Sequence, residues 1–318
     1  MWKVWAVSEG LTKTASSLLQ KFVGFSMHTL EMACVFSIII GVVQLAAGFM
    51  GYVTKCFKDP AHVSSLVPDI RSVFWAILFG FFAGIFGTVL GVYTFVLGAD
   101  IGVRTLLLSF SVVPGAIVGW MLWKDPLDLR QWMGISIFLV AVWAMLDFPQ
   151  TDMFTSLPSW VWLTIVISLS SVANEMLSRA AGVKLDIWTN NFWVGVSTVF
   201  FSTIGLLILA PVSDNMTLKL STVFIWGTVA IAFIVVGMIS FKLLTYQGGG
   251  TIALKKVIMP GIYLVTSTLA GVWLFPESES LTTGKIVGMA LWPFAIILMD
   301  NSVWGVIRGF FLRENKIS

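Results

Sequence analysis

The feature that most constrains this chain is the recurrence of apolar stretches about 20 residues long from one end to the other, each long enough to cross a bilayer as a helix. They are read at Trp2–Phe22, Leu30–Thr54, Val73–Leu97, Ile101–Trp123, Gln131–Phe148, Pro158–Ser178, Ile187–Ala210, Ser221–Thr245, Thr251–Phe275 and Ile286–Ile307. The first is interrupted by Lys3, Glu9 and Lys13, so a helix lying in the membrane interface competes with a span there. Composition agrees: 58% of the 318 residues are hydrophobic and 11% charged, against about 25% charged in soluble proteins. The expected fold class is an all-α polytopic membrane protein of ten transmembrane helices, with no soluble domain. No cleavable signal peptide is expected, because no short apolar stretch ending in a small-residue cleavage site comes before the first span.

Basic residues orient the chain. With the N-terminus cytoplasmic, Lys3, Lys55, Lys58, Arg71, Lys124, Arg130, Arg179, Lys184, Arg308, Arg313 and Lys316 fall on the cytoplasmic side, against Lys21, Lys219 and Lys285 outside. Eleven against three places both termini in the cytoplasm, whether the membrane is a cell inner or plasma membrane or that of an organelle. The two halves also look like copies. A shift of 158 residues lays Leu11, Ala15, Leu19 and Gly24 on Leu169, Ala173, Leu177 and Gly182, with Lys21 on Arg179. A shift of 154 lays Leu127 and Gly134 on Leu281 and Gly288, and one of 153 lays Asp147 on Asp300. Five spans per copy is odd, so the second copy is inverted. The expected organisation is residues 1–150 and 151–318 as two inverted five-helix repeats of one transport domain, with the ligand site near the midplane between them.

Charges inside spans are costly and mark function by default. Lys255 and Lys256 lie about one turn into the ninth span, and a shift of 152 lays Lys256 on Arg104 of the fourth. Basic groups approaching one cavity from both copies suit an anion, above all a phosphate, although such long side chains can also snorkel to headgroups. Lys242 and Tyr246, four residues apart, extend the cluster, and Gly248, Gly249 and Gly250 make a short hinge into the ninth span. Asn190 and Asn191 serve either interhelical bonding or the selection of a polar ligand group. Glu9 and Glu175 stand one turn before Lys13 and Arg179, a spacing that reads as i,i+4 ion pairs, with proton coupling as the alternative.

Gly80, Gly84, Gly87 and Gly91 form a stripe suited to close helix packing, and the tryptophans that flank spans, such as Trp120 and Trp188, suit interface anchors. Pro114 and Pro260 fall inside the fourth and ninth spans and bend them. No catalytic constellation or metal set is found. His28 and His62 are the only histidines, Cys34 and Cys56 suggest neither a disulfide nor a zinc site, and no glycine-lysine phosphate loop is present. The chain is therefore not expected to be an enzyme.

Ten spans in two inverted repeats, with Trp123-Lys-Asp-Pro-Leu-Asp-Leu-Arg-Gln-Trp-Met-Gly134 leading into the fifth, resemble the drug/metabolite transporter superfamily along nearly the whole chain. Within it, Trp188-Thr189-Asn190-Asn191 resembles the aromatic-Tyr-Asn-Asn motif of GDP-mannose transporters, with Thr189 in place of the tyrosine. Gly250-Thr-Ile-Ala-Leu-Lys255-Lys256 resembles their Gly-Ala-Leu-Asn-Lys motif, with Lys255 in place of the asparagine. The lysine pair is also similar to the Lys-Arg pair of triose-phosphate translocators, whose aromatic-basic-Tyr-Asn-Gln segment is echoed by Phe241-Lys242 and Tyr246-Gln247. The resemblance implies a secondary-active or facilitative transporter of a small anionic metabolite, with no metal or organic cofactor. Arg104, Lys255, Lys256, Lys242, Tyr246, Asn190 and Asn191 would line the substrate path. Two alternatives stay open: a proton-coupled exporter of amino acids or drug-like molecules using Glu9 or Glu175, and a non-transport scaffold or lipid-handling protein. The expected partners are a small molecule and membrane lipid; nucleic acid is not one, and a homodimer is compatible with the sequence.

Overall fold

The computed structural model describes residues 1–58, 65–125, 127–145, 158–182, 184–211, 220–275 and 281–300. Among them the chain is helical, with no strand. The helices are α1 (Trp2–Gly24), α2 (Leu30–Lys58), α3 (Ile70–Phe81), a π-helical stretch (Phe82–Leu90), α4 (Gly91–Val96), α5 (Ile101–Ser109), α6 (Val112–Trp123), α7 (Leu129–Met145), α8 (Ser159–Ala181), α9 (Ile187–Leu209), α10 (Thr222–Gln247), α11 (Ile252–Leu274) and α12 (Thr283–Met299). The segments from Ile70 to Val96 form one continuous rod, and α5 with α6 form one broken rod, Ile101–Trp123.

Seven of these units are long and apolar enough to cross a membrane: α2, the two rods, α8, α9, α10 and α11. Large apolar side chains on them point outward, among them Trp226 (69% exposed), Leu207 and Phe233. A water-soluble bundle would bury such residues, so this is the character of a multi-pass membrane protein. Helix α1 is long but carries Lys3, Glu9, Lys13 and Lys21, while α7 and α12 have 17 residues each. The expected tenth span ran on to Ile307, but α12 gives way to extended backbone at Asp300; residues 301–307, like 146–148 of the expected fifth span, lie outside the described residues.

Short polar residues set the helix starts. Asp69, Asp100, Asp186, Ser221 and Thr282 each accept from a backbone N–H of the first turn, satisfying donors that the helix leaves open. The Ser72 hydroxyl and amide, both donating to Asp69, hold its carboxyl below the usual carboxylate range. The turn from α10 to α11 is made possible by Gly249, whose φ of +87° glycine adopts at little cost and a residue with a side chain does not.

Where α2 crosses α9, small residues bring the backbones together. A Cβ on Gly195 would stand 2.5 Å from the Leu45 amide nitrogen and 2.9 Å from the Gly41 carbonyl. Gly195→Leu is therefore expected to drive the helices apart at a cost of about 3 kcal/mol or more. Gly237→Leu, at a position whose added Cβ meets only Phe241 at 3.9 Å, is the control. Size-exclusion profiles of detergent extracts check this: the Gly195 variant should aggregate and the Gly237 variant should elute as the parent does.

Other contacts pair α7 with α12, α11 with α5 and α6, α1 with α10 and α11, and α8 with both rods. In the first rod, Gly80 meets Val194 and Ser197 of α9 and Gly84 meets Thr198, so half the glycine stripe is indeed helix packing. Gly87 instead faces open space and Gly91 faces the Arg104 guanidinium.

Candidate functional site

A cavity opens among α1, the end of α3 with the π-helical stretch, α5 and the break that follows it, α8, α10 and α11, with about 1080 Å³ of atom-free space, mouth included. Two backbone irregularities make room for it. Pro114 has no N–H to offer the Phe110 carbonyl and its ring crowds that turn, so the helix breaks between α5 and α6. The break turns Leu108, Ser109 and Ser111 toward the cavity. Opposite, the wider π turn places Phe82, Ala83, Gly87 and Thr88 on the wall, with the Thr88 hydroxyl donating to the Ala83 carbonyl at 3.0 Å. Irregular backbone at membrane depth is tolerated where it lines such a space.

One side of the cavity is closed by a lattice of buried charges. Lys255, fully buried, places Nζ 2.5 Å from Glu175 Oε2 and 3.0 Å from Glu9 Oε2. Lys242 Nζ lies 3.1 Å from Glu175 Oε1 and 3.9 Å from Glu9 Oε1, and donates to Asn174 Oδ1 at 2.9 Å. The Tyr246 hydroxyl donates to Glu175, and its ring lies 4.6 Å below Lys255 Nζ. Two carboxylates thus hold two ammonium groups from α10 and α11, and the lattice ties α1 to α8. Such a set is tolerated in an apolar interior because each charge has its counter-charge.

The remaining basic groups on the cavity form no ion pair with a carboxylate among the described residues. Lys256 is 2% exposed and donates to Ser111 Oγ at 2.9 Å and to Ser171 Oγ at 3.0 Å. Arg104, 4% exposed, donates from Nε to Thr94 at 2.8 Å and from Nη1 to the Tyr263 hydroxyl at 3.4 Å, with its guanidinium 4.5 Å from the Phe95 ring centre. Lys13 places Nζ 4.9 Å from the Tyr263 ring centre. Among the described residues, five basic groups against two carboxylates leave a formal excess of three positive charges around one cavity.

The structure separates residues that the sequence groups together. Lys255 and Tyr246 belong to the lattice and do not line the cavity, whereas Lys242, Lys256, Arg104, Glu9 and Glu175 do. The i,i+4 pairs are not formed: Glu9 and Glu175 engage Lys242 and Lys255, and Arg179 instead grips Asp125 with two bonds of 2.5 and 3.3 Å. Sequence spacing favours a neighbour on the same helix, but an apolar interior makes a partner across helices equally close. Asn191 bonds Gln44, Ser240 and the Ile187 carbonyl, joining α2, α9 and α10. Asn190 is buried with neither amide atom bonded, and neither asparagine lines the cavity. Lys13, Ser111, Ser171 and Tyr263 were not singled out as site residues by sequence. The signal for Lys13 was its charge within a span, which the nearby Glu9 masked; the serines and the tyrosine carry no such mark. Among the described residues no group of acidic, His and Cys side chains could hold a metal ion.

No family model and no curated protein matches the chain. The fold is similar to that of a solved chain described only as "Crystal structure of protein", at 14% identity and a TM-score of 0.64, over 95% of this chain and 98% of that one. At that identity the likeness concerns the path of the backbone from end to end.

Proposed function

We propose that the chain is a secondary transporter that moves a small anionic metabolite, a nucleotide sugar or another phosphorylated compound, by alternating access. The carrying observation is the set of three buried or cavity-facing cations, Lys13, Arg104 and Lys256, that form no ion pair with a carboxylate among the described residues. A bound anion would supply the missing counter-charge, and charge-assisted bonds to it in a dry site are strong.

In this reading α1, α2, the two rods and α7 form one five-helix repeat, and α8 to α12 the other, inverted. The contact pattern supports it, since exchanging the repeats turns the packing of α1 on α10 and α11 into that of α8 on the two rods, and maps the α2–α9 and α7–α12 contacts onto themselves. The resemblance to the drug/metabolite transporter superfamily is part of the same proposal. With both termini cytoplasmic, a cysteine at Ser65 should be shielded and one at Leu220 should react with an impermeant maleimide in sealed cells, in a background lacking Cys34 and Cys56. Equal labelling of the two would overturn the orientation.

A thermal-shift screen tests the substrate class. A ligand that binds only the folded state raises its apparent stability, so nucleotide sugars or sugar phosphates should raise the melting temperature of the detergent-solubilised protein. Stabilisation by amino acids or cationic drugs alone would transfer the site to the proton-coupled reading, with Glu9 and Glu175 as its acidic groups.

A further inference from the structure

The cations without an ion pair lie beside two levels of α11. Lys256 and Tyr263 are seven residues apart on α11, so they share a face and their backbone positions stand about 10 Å apart along the axis. Lys256 is held by hydroxyls from two sides, Ser111 of the broken rod and Ser171 of α8. Of its three N–H donors two are spent, leaving one for a ligand. Two turns further on, Tyr263 gathers the other cations. Its hydroxyl meets Arg104 Nη1 at 3.4 Å and Ser17 Oγ at 2.7 Å, and its ring carries Lys13. The guanidinium has five donors, of which Thr94 and Tyr263 take two. Gly91 leaves space beside Nη2, where a Cβ would come within 3.2 Å.

We infer that the cavity holds two anion seats, one at Lys256 with Ser111 and Ser171 and one at Arg104 with Lys13 and Tyr263, and takes an elongated ligand with an anionic group at each end. The inference rests on the anion-transport reading above and sharpens it toward a phosphorylated compound charged at both ends, unlike a nucleotide sugar, whose phosphates adjoin in its middle. A single phosphate is far smaller than the spacing and reaches one seat at a time. A bis-anion of matching length engages both, and the second contact is intramolecular once the first is made. Lys255, adjacent in sequence to Lys256, takes no part because Glu9 and Glu175 already occupy it.

Thermal-shift titrations of the full chain in detergent test this, with inorganic phosphate, a monophosphate ester and linear bisphosphonates of increasing length as probes. The affinity should peak at one length, on the order of the 10 Å backbone spacing, and exceed that for phosphate at least tenfold. Arg104→Gln and Lys256→Gln should each bring the best bisphosphonate down to the phosphate level. Arg104→Lys, which keeps the charge and loses the fork, covers the case in which the glutamine variant does not fold. Phosphate binding as tightly as every bisphosphonate, or affinity independent of length, overturns the two seats and leaves the anion reading intact. Failure of every anion to bind the parent protein overturns both.

Discussion

Glu175→Gln is expected to be among the most destabilising single substitutions in this protein, costing about 3–5 kcal/mol, because it leaves Lys242 and Lys255 buried with only Glu9 between them. The melting temperature of the detergent-solubilised variant should fall accordingly. Adding Lys255→Gln to it restores the charge balance and should recover about 1–3 kcal/mol, since residues in one network do not behave additively. Strict additivity of the two losses would show that the lattice is not a unit.

The adjacent lysines of α11 should respond oppositely. Neighbouring positions on a helix point about 100° apart, which sends Lys255 into the carboxylates and Lys256 into the cavity. Lys255→Gln removes the cation that two acids share and should lower stability as severely as the loss of Glu175. Lys256→Gln keeps a donor for Ser111 and Ser171, so the protein should remain monodisperse and melt near the parent temperature. Its affinity for a phosphate-bearing ligand should drop about ten- to a hundredfold, the worth of one charge-assisted bond. Equal loss of stability in both variants, or unchanged binding by the Lys256 variant, contradicts this division of labour.

That contrast also shows what a sequence can disclose. Long apolar helices are legible because transfer into lipid is a property of each segment alone, and the seven long apolar units need no tertiary information. The in-span charges are legible for the same reason, so Glu9, Arg104, Glu175, Lys242, Lys255 and Lys256 could all be marked. Their partners could not, because pairing depends on which helix faces lie together. Arg179 reaches past Glu175 to Asp125, 54 residues away, and stacks 4.9 Å from Trp123. The π turn at Phe82–Leu90, one of the two irregularities that open the cavity, has no motif at all. The other does: Pro114 announces the break, although not that Ser111 would meet Lys256 there.

Counterflow in proteoliposomes tests the central claim most directly. Vesicles carrying the purified protein would be loaded in turn with unlabelled nucleotide sugars, sugar phosphates or amino acids, and offered the same compound labelled outside. Anion exchange by alternating access predicts transient accumulation of a phosphate-bearing compound without a pH gradient, at least tenfold weaker in Lys256→Gln at limiting substrate and retained by Lys184→Gln, a change at an exposed surface lysine. Accumulation confined to amino acids or cationic compounds, driven by a pH gradient and lost in a well-folded Glu9→Gln variant, would contradict it.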